Sequence, residues 1–224
     1  MLAVIATDPK VDPTMSAPRF SPAADRNKQP ILEQLQRLLP ERGSALEIAS
    51  GTGQHIVWFA RQLTGWTWQP SDLPANNFSA NDLTGISAAV DESGLTNILP
   101  TLSLDVLSLD WPLAGSAFER PFDLIYCANM LHISPWATCS GLMQGSARYL
   151  SPGGLLVLYG PYLEDDVVTS PGNQAFDESL RASNSSWGLR KLSDIVDEAQ
   201  RCGFLLTERC QMPANNLLLV LKIA

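Results

Sequence analysis

The chain has 224 residues, 45% of them hydrophobic, with a formal charge of −8 at pH 7 and a mean hydropathy of +0.01. That length suits one sizeable α/β domain, and the composition excludes both a membrane protein and a largely disordered chain. The acidic balance repels polyanions and argues against a nucleic-acid partner, while no apolar run reaches the length of a bilayer crossing.

Along the chain, the opening MLAVIATDPK holds an Asp and lacks a basic start before a long apolar stretch. It is a poor signal peptide, so a cytoplasmic protein is expected. Pro9, Pro13, Pro18 and the neighbouring Pro22 fall where no periodicity develops, and 1–19 reads as a flexible tail ahead of a single domain over 20–224. Ile31, Leu32, Leu35, Leu38 and Leu39 repeat at helical spacing, with Pro30 suited to the helix's first turn. From Ser44 onward, short apolar runs alternate with helical stretches, the pattern of βα units feeding a parallel sheet. Strands are expected over 45–48, 67–70, 101–104, 122–128 and 154–159, another opening at Gly203 and Phe204, and a last one over 217–223. Helices are expected over 55–63, 81–93, 136–149 and 192–201. Cys127, Cys139, Cys202 and Cys210 form no C-x-x-C pair and read as free thiols, and His55 and His132 lie too far apart in sequence to suggest a metal site.

The segment ALEIASGTGQHIVWFARQL is a strand, a small-residue turn and an amphipathic helix in succession. Ala49, Gly51 and Gly53 keep bulky side chains away from a backbone whose helix-start N–H groups await a polar partner. Small-residue turns are also common for purely structural reasons, so the flanking acids carry weight. Glu47 ends the first strand beneath the turn, suited to orient it and to face a cationic sulfonium or amine. Asp72 closes WQPSD about twenty residues further on, where a carboxylate can accept both ribose hydroxyls. Asp105, in LSLDV, is placed to reach an adenine amino group. The turn reads A-x-G-x-G followed by Gln54 and His55, without the third glycine of a pyrophosphate-binding helix. An adenosyl sulfonium suits it better than a dinucleotide.

The stretches RFSPAADRNKQPILEQL, LEIASGTGQHIVWFA, WQPSD, FDLIYCANMLHISPW, LSPGGLLVLYGPY, WGLRKLSDI and MPANNLLLV closely resemble the class I S-adenosylmethionine methyltransferase-like family known as domain of unknown function 938. The likeness covers nearly everything after Pro18. It implies a Rossmann-like fold with a seven-stranded, mostly parallel sheet ordered 3-2-1-4-5-7-6, its last strand antiparallel, and S-adenosylmethionine over the carboxyl ends of strands one to four. Carried over residue by residue, it assigns Glu47, Gly51, Gly53, Asp72, Asp105 and Val106 to cofactor binding, with the backbone of Cys127, Ala128 and Asn129; Ala49 joins them from the turn itself. Arg26 and Asn27 resemble a lid segment on an N-terminal helix, near the methionine carboxylate; Arg26 reads equally as a surface cation. The stretch LPANNFSAND diverges from the pattern.

Methyl transfer from a sulfonium is an in-line displacement with an activated leaving group, so the protein supplies alignment, desolvation and, for a protonated nucleophile, a base. Asn129, His132 and Tyr162 follow strands four and five at the edge where an acceptor approaches. Asn129 suits orientation of an amine, hydroxyl or carboxylate, or alternatively a turn bonded to itself. His132 is the candidate base of the cleft, or alternatively a histidine packed into its loop. The insertion over 163–190, holding Asn173, Phe176, Trp187 and Arg190, is long enough to be a lid over a substrate. Asn215 and Asn216 face the same cavity or simply form a turn. The expected activity is methylation of a small-molecule acceptor by a monomer or homodimer. The alternatives are intramolecular displacement of methylthioadenosine, or a non-catalytic cofactor-binding protein.

Overall fold

The computed structural model describes residues 20–74, 83–112, 118 and 120–224. The expected tail over 1–19, the start of the helix expected from Asn81, and most of the divergent LPANNFSAND stretch lie outside the described residues.

Seven strands form one sheet: β1 (Gly43–Ile48), β2 (Trp66–Asp72), β3 (Leu102–Ser103), β4 (Phe122–Ala128), β5 (Leu150–Gly160), β8 (Phe204–Met212) and β9 (Asn216–Ile223). Between β5 and β8, β6 (Tyr162–Leu163) and β7 (Arg190–Lys191) pair in a separate two-stranded ribbon that closes the insertion at its base. The large sheet runs β3-β2-β1-β4-β5-β9-β8, with β9 antiparallel to both neighbours. Leaving the ribbon aside, this is the expected order 3-2-1-4-5-7-6, and the fold is Rossmann-like. β5 starts at Leu150, four residues earlier than its apolar run suggests, because Leu150 pairs with Phe122 ahead of a register shift.

Each central strand is buried on both faces, so alternate residues feed two cores. On one face Leu46, Ile48, Ile125, Cys127, Leu156 and Leu158 pack with Leu142 and Met143 of α4 (Ala137–Tyr149) and with Ile195 and Ala199 of α6 (Leu192–Arg201). On the other, Ala45, Leu124, Tyr126, Val157 and Val220 pack with Ile56 and Phe59 of α2 (Gln54–Gln62) and with Ile31 and Leu35 of α1 (Pro22–Leu38). These helices thus cover both faces and leave the strands' carboxyl ends to be lined by loops. No helix among the described residues is long and apolar enough to cross a membrane.

The first helix corrects a sequence expectation: it starts at Pro22, and Pro30 lies inside it. Ser21 caps it by accepting from the Ala24 N–H at 3.3 Å, with proline in the first turn. An interior proline costs about 3 kcal/mol of helix stability. Burial of Ile31, Leu32 and Leu35 just beyond it, at about 1.5–3 kcal/mol per large side chain, offsets that cost. The remaining helices are α3 (Leu83–Ser93) and α5 (Pro171–Ser183), the latter within the insertion.

Candidate functional site

The turn after β1 is built on backbone conformations few residues adopt. Ala49, Gly51 and Gly53 have φ of 59°, 60° and 74°. Such alternation is the device that turns successive N–H groups toward one concavity. The loop is stitched to the end of β2: Ser50 N donates to the Ser71 carbonyl at 3.0 Å, Ser71 N to Ser50 Oγ at 3.2 Å and Ser71 Oγ to the Glu47 carbonyl at 2.7 Å. The Asp72 carboxylate accepts from the Gly51 N–H and, through its other oxygen, from the Leu73 N–H, both at 2.7 Å. Among the described residues, a Cβ on Gly51 would meet nothing nearer than the Ala49 carbonyl oxygen at 4.0 Å.

Glu47 lies beneath this turn, where the sequence placed it. It is 2% exposed, and burial pushes its carboxyl up to about 8, with the Asp72 charge raising it further and a hydrogen bond to Ser50 opposing both. One of its oxygens, Oε2, has no hydrogen-bond partner among the described residues. Asp105 is half-buried and accepts from the Leu107 N–H at 2.9 Å, while the neighbouring Val106 is buried. The Leu104 N–H binds the Asp72 carbonyl at 2.9 Å and ties this segment to the same edge.

The amino-terminal half of α1 lies across the start of α2. Ser21 N donates to Gln54 Oε1 while Gln54 Nε2 returns a bond to the Ser21 carbonyl at 3.3 Å. Asn27 Oδ1 meets His55 Nε2 at 2.6 Å, and the Asn27 side chain also bonds the Tyr159 phenol. Burial, followed by the charge of Lys28, lowers His55 to about 4 against an opposing backbone hydrogen bond, so the pair at Asn27 is neutral. Asn27 is therefore a clamp between α1, α2 and β5, whereas Arg26 is exposed. Sequence reasoning missed Gln54 and His55 as the other half of the clamp; the signal available was only their polarity at a helix start.

On the far side of the sheet's midline, the carboxyl end of β4 delivers Cys127, Ala128 and Asn129. Cys127 is buried and its thiol is pushed well above its usual value, by burial first and by Glu47 and Asp72 next. Asn129 has φ of 59°, a left-handed conformation asparagine tolerates better than most, and its N–H binds the Tyr159 carbonyl at 2.8 Å. His132 follows in a short 3-10 turn, 6% exposed, with burial and then the charge of Arg190 lowering it to about 4. It is a neutral imidazole at pH 7. The structure brings Asn129 and His132 together beside Gly160 at the end of β5. Tyr162 does not join them: it packs into the core with Leu131 and Cys139, and burial pushes its phenol well up.

The insertion folds over this corner. Its helix α5 places the Phe176 ring edge-on to His132, with centroids 5.4 Å apart, and Asn173 Nδ2 reaches the Asn215 carbonyl at 3.3 Å. Arg190 donates to the carbonyls of Leu131, Ser134 and Ser186 at 3.0, 2.6 and 2.8 Å, and Gly188 N donates to the His132 carbonyl at 3.0 Å. Trp187 is half-buried in the same segment. Asn215 has φ of 55° in the β8–β9 turn and Asn216 begins β9.

Among the described residues the non-glycine positions with positive φ are Ala49, Asn129, Ala214 and Asn215. All four lie on the edge where the parallel strands end, and strain of this kind gathers at functional sites. A separate surface cleft of about 510 Å³ lies behind Arg190, between Trp136, Arg181, Asp194 and Arg201, and no residue of the glycine turn lines it.

Solved structures with the same fold include proteins named as methyltransferases. An O-methyltransferase family protein from Burkholderia thailandensis superposes with a TM-score of 0.71 at 17% identity, covering 90% of this chain and 57% of that one. An O-methyltransferase family 2 protein from Planctomyces limnophilus, in complex with apigenin, gives 0.70 at 15% identity, with coverage of 90% and 60%. CalO1, a methyltransferase in calicheamicin biosynthesis in an SAH-bound form, gives 0.67 at 12%, with coverage of 90% and 55%. The chain thus spans little more than half the length of these structures. At sequence level, residues 18–223 match the family described as protein of unknown function (DUF938), and the chain belongs to that family.

Proposed function

We propose that this protein transfers a methyl group from S-adenosylmethionine to a small-molecule acceptor at the carboxyl edge of its sheet. The observation that carries the reading is the left-handed turn at Ala49, Gly51 and Gly53, fastened to the Asp72 carboxylate and floored by a buried carboxyl with one oxygen unpartnered among the described residues. A polar, adenosylated cation suits that set better than a pyrophosphate, which the charged Asp72 carboxylate would repel. Asp72 would take the ribose hydroxyls, Asp105 and Val106 the adenine, and the turn with Glu47 the methionyl part. The backbone of Cys127, Ala128 and Asn129 would flank it, with Arg26 and Asn27 on the helix above. Bound there, the cofactor supplies a methyl group on positively charged sulfur.

The chain's own residues then have defined tasks. Asn129 orients the acceptor, neutral His132 receives its proton, and the α5 segment carrying Phe176 excludes water. The fold shared with methyltransferases, one SAH-bound and one holding apigenin, supports the reading. Isothermal titration with S-adenosylmethionine tests it. Binding that is lost in Gly51→Val is expected; no heat with the wild-type protein would refute it. Product analysis then separates methylation, which leaves S-adenosylhomocysteine, from displacement chemistry, which leaves methylthioadenosine.

A further inference from the structure

Gly160 is the last residue of β5, buried and paired with Leu217 of β9. A glycine at the end of a strand weakens it, by roughly 0.5–1 kcal/mol relative to alanine, and marks a bulge, a bend or the close approach of another backbone or a ligand. None of the structural reasons applies here. Gly160 is absent from the glycines with positive φ, and the following Pro161 asks only for an extended residue. The β5–β9 register runs unbroken through it. The three atoms nearest a Cβ built on Gly160 would all belong to side chains: His132 Nδ1 at 3.6 Å, Asn129 Oδ1 at 3.7 Å and His132 Cε1 at 3.8 Å. Those are ordinary contact distances, so alanine would fit. What the glycine preserves is a space one atom wide with an imidazole nitrogen on one side and a carboxamide on the other.

The chemistry of the rim says what fills that space. Arg190 commits Nε and Nη2, three of its five N–H groups, to carbonyl oxygens of the loop, so it serves there to hold backbone. The charge of Arg190, which together with burial keeps the His132 imidazole neutral, disfavours a cationic ammonium beside it. An alkyl alcohol, whose acidity is near that of water at about 15.7, is a poor match for so weak a base. Of the two classes of hydroxyl, a phenolic one, at about 10, gives up its proton far more readily. The edge-on Phe176 ring and the half-buried Trp187 line the same segment with aromatic surface.

Resting on the methyl-transfer reading, we propose that the acceptor is an aromatic hydroxyl whose oxygen sits on the bare face of Gly160, between His132 Nδ1 and Asn129, and that Gly160 determines this specificity by withholding a side chain. The hydroxyl points its O–H at Nδ1, and the Asn129 carboxamide, turned to present its N–H, donates to an oxygen lone pair. As that oxygen forms its bond to the methyl carbon, the carbon–sulfur bond breaks with its electron pair left on sulfur. The hydroxyl proton passes to His132 and on to solvent, leaving an aryl methyl ether and S-adenosylhomocysteine.

The test titrates phenol into protein saturated with S-adenosylhomocysteine and follows the imidazole C–H and Asn side-chain amide resonances. In the wild type, phenol should shift His132 and Asn129 and leave His55 unmoved. In Gly160→Ala and Gly160→Ser, phenol affinity should fall by at least about tenfold, equivalent to 1.4 kcal/mol, with S-adenosylhomocysteine affinity and melting temperature retained. Equal phenol shifts in the variants, or none in the wild type, overturn the assignment of Gly160 while leaving the cofactor site standing. Failure of S-adenosylhomocysteine to bind the wild type overturns both.

Discussion

Replacing Glu47 by Gln should make the ligand-free protein more stable, and increasingly so as pH rises. Glu47 is buried, and its carboxyl sits at about 8 against 4.5 in an exposed setting. Between those values the folded chain holds a proton there that the unfolded chain has released. Stability therefore falls as pH rises from about 4.5 to about 8, by 1.36 kcal/mol per unit at most. From about pH 5 to about pH 7.5 the cost is on the order of 3 kcal/mol. Gln carries the same shape without the charge and escapes it. His55 and His132, lowered to about 4 by burial, act oppositely: native stability is lost as pH falls through 6.5 toward 4. Their contributions cancel in the difference between variant and wild type. Urea unfolding of both proteins at the two pH values should thus show Glu47→Gln gaining up to about 3 kcal/mol at the higher pH relative to the lower. For a chain of 224 residues that corresponds to roughly 6–12 °C in Tm. A difference that does not change with pH would refute the picture of a proton trapped beneath the glycine turn.

Other perturbations follow from the same geometry. Asp72→Asn turns one acceptor of the Gly51 and Leu73 N–H groups into a donor. It should cost about 1.5–3 kcal/mol in thermal unfolding and weaken S-adenosylhomocysteine binding; an unchanged Tm would contradict the loop description. His132 should titrate near pH 4 by imidazole NMR. His132→Asn should lower turnover roughly 10²–10⁴-fold with cofactor affinity intact, and undiminished turnover would remove it as the base. Gly188 has φ of 143°, and a Cβ there would fall 2.7 Å from Arg181 Cζ and 2.8 Å from Asp177 Oδ1, the acceptor of the Leu189 N–H. Gly188→Ala should cost about 1–3 kcal/mol and expose the Leu189 amide to hydrogen exchange, while a neutral effect would mean the insertion docks otherwise.

The strands and the glycine turn were legible in the sequence because their signals are local: apolar runs of strand length, small residues where φ turns positive, and acids at strand ends. The order of the strands was not local, and came from the family resemblance. The start of α1 was hidden because its apolar repeat begins only at Ile31. The polar turns before it are held by Ser21 to Gln54 and Asn27 to His55, partners 33 and 28 residues away. Tyr162 shows the same limit: GPY reads as an edge, yet the short pairing with Arg190 belongs to a strand whose ring turns into the core. Gly160 drew no notice in the sequence, since only the fold reveals that its missing side chain faces His132 and Asn129.

A crystal structure of the protein grown with S-adenosylhomocysteine tests the central claim most directly. The account predicts density along Ala49, Gly51 and Gly53, with the sugar hydroxyls at the Asp72 carboxylate and the sulfur directed toward Asn129 and His132. Density elsewhere on the molecule, or a groove above the turn filled by the chain's own side chains, would contradict it.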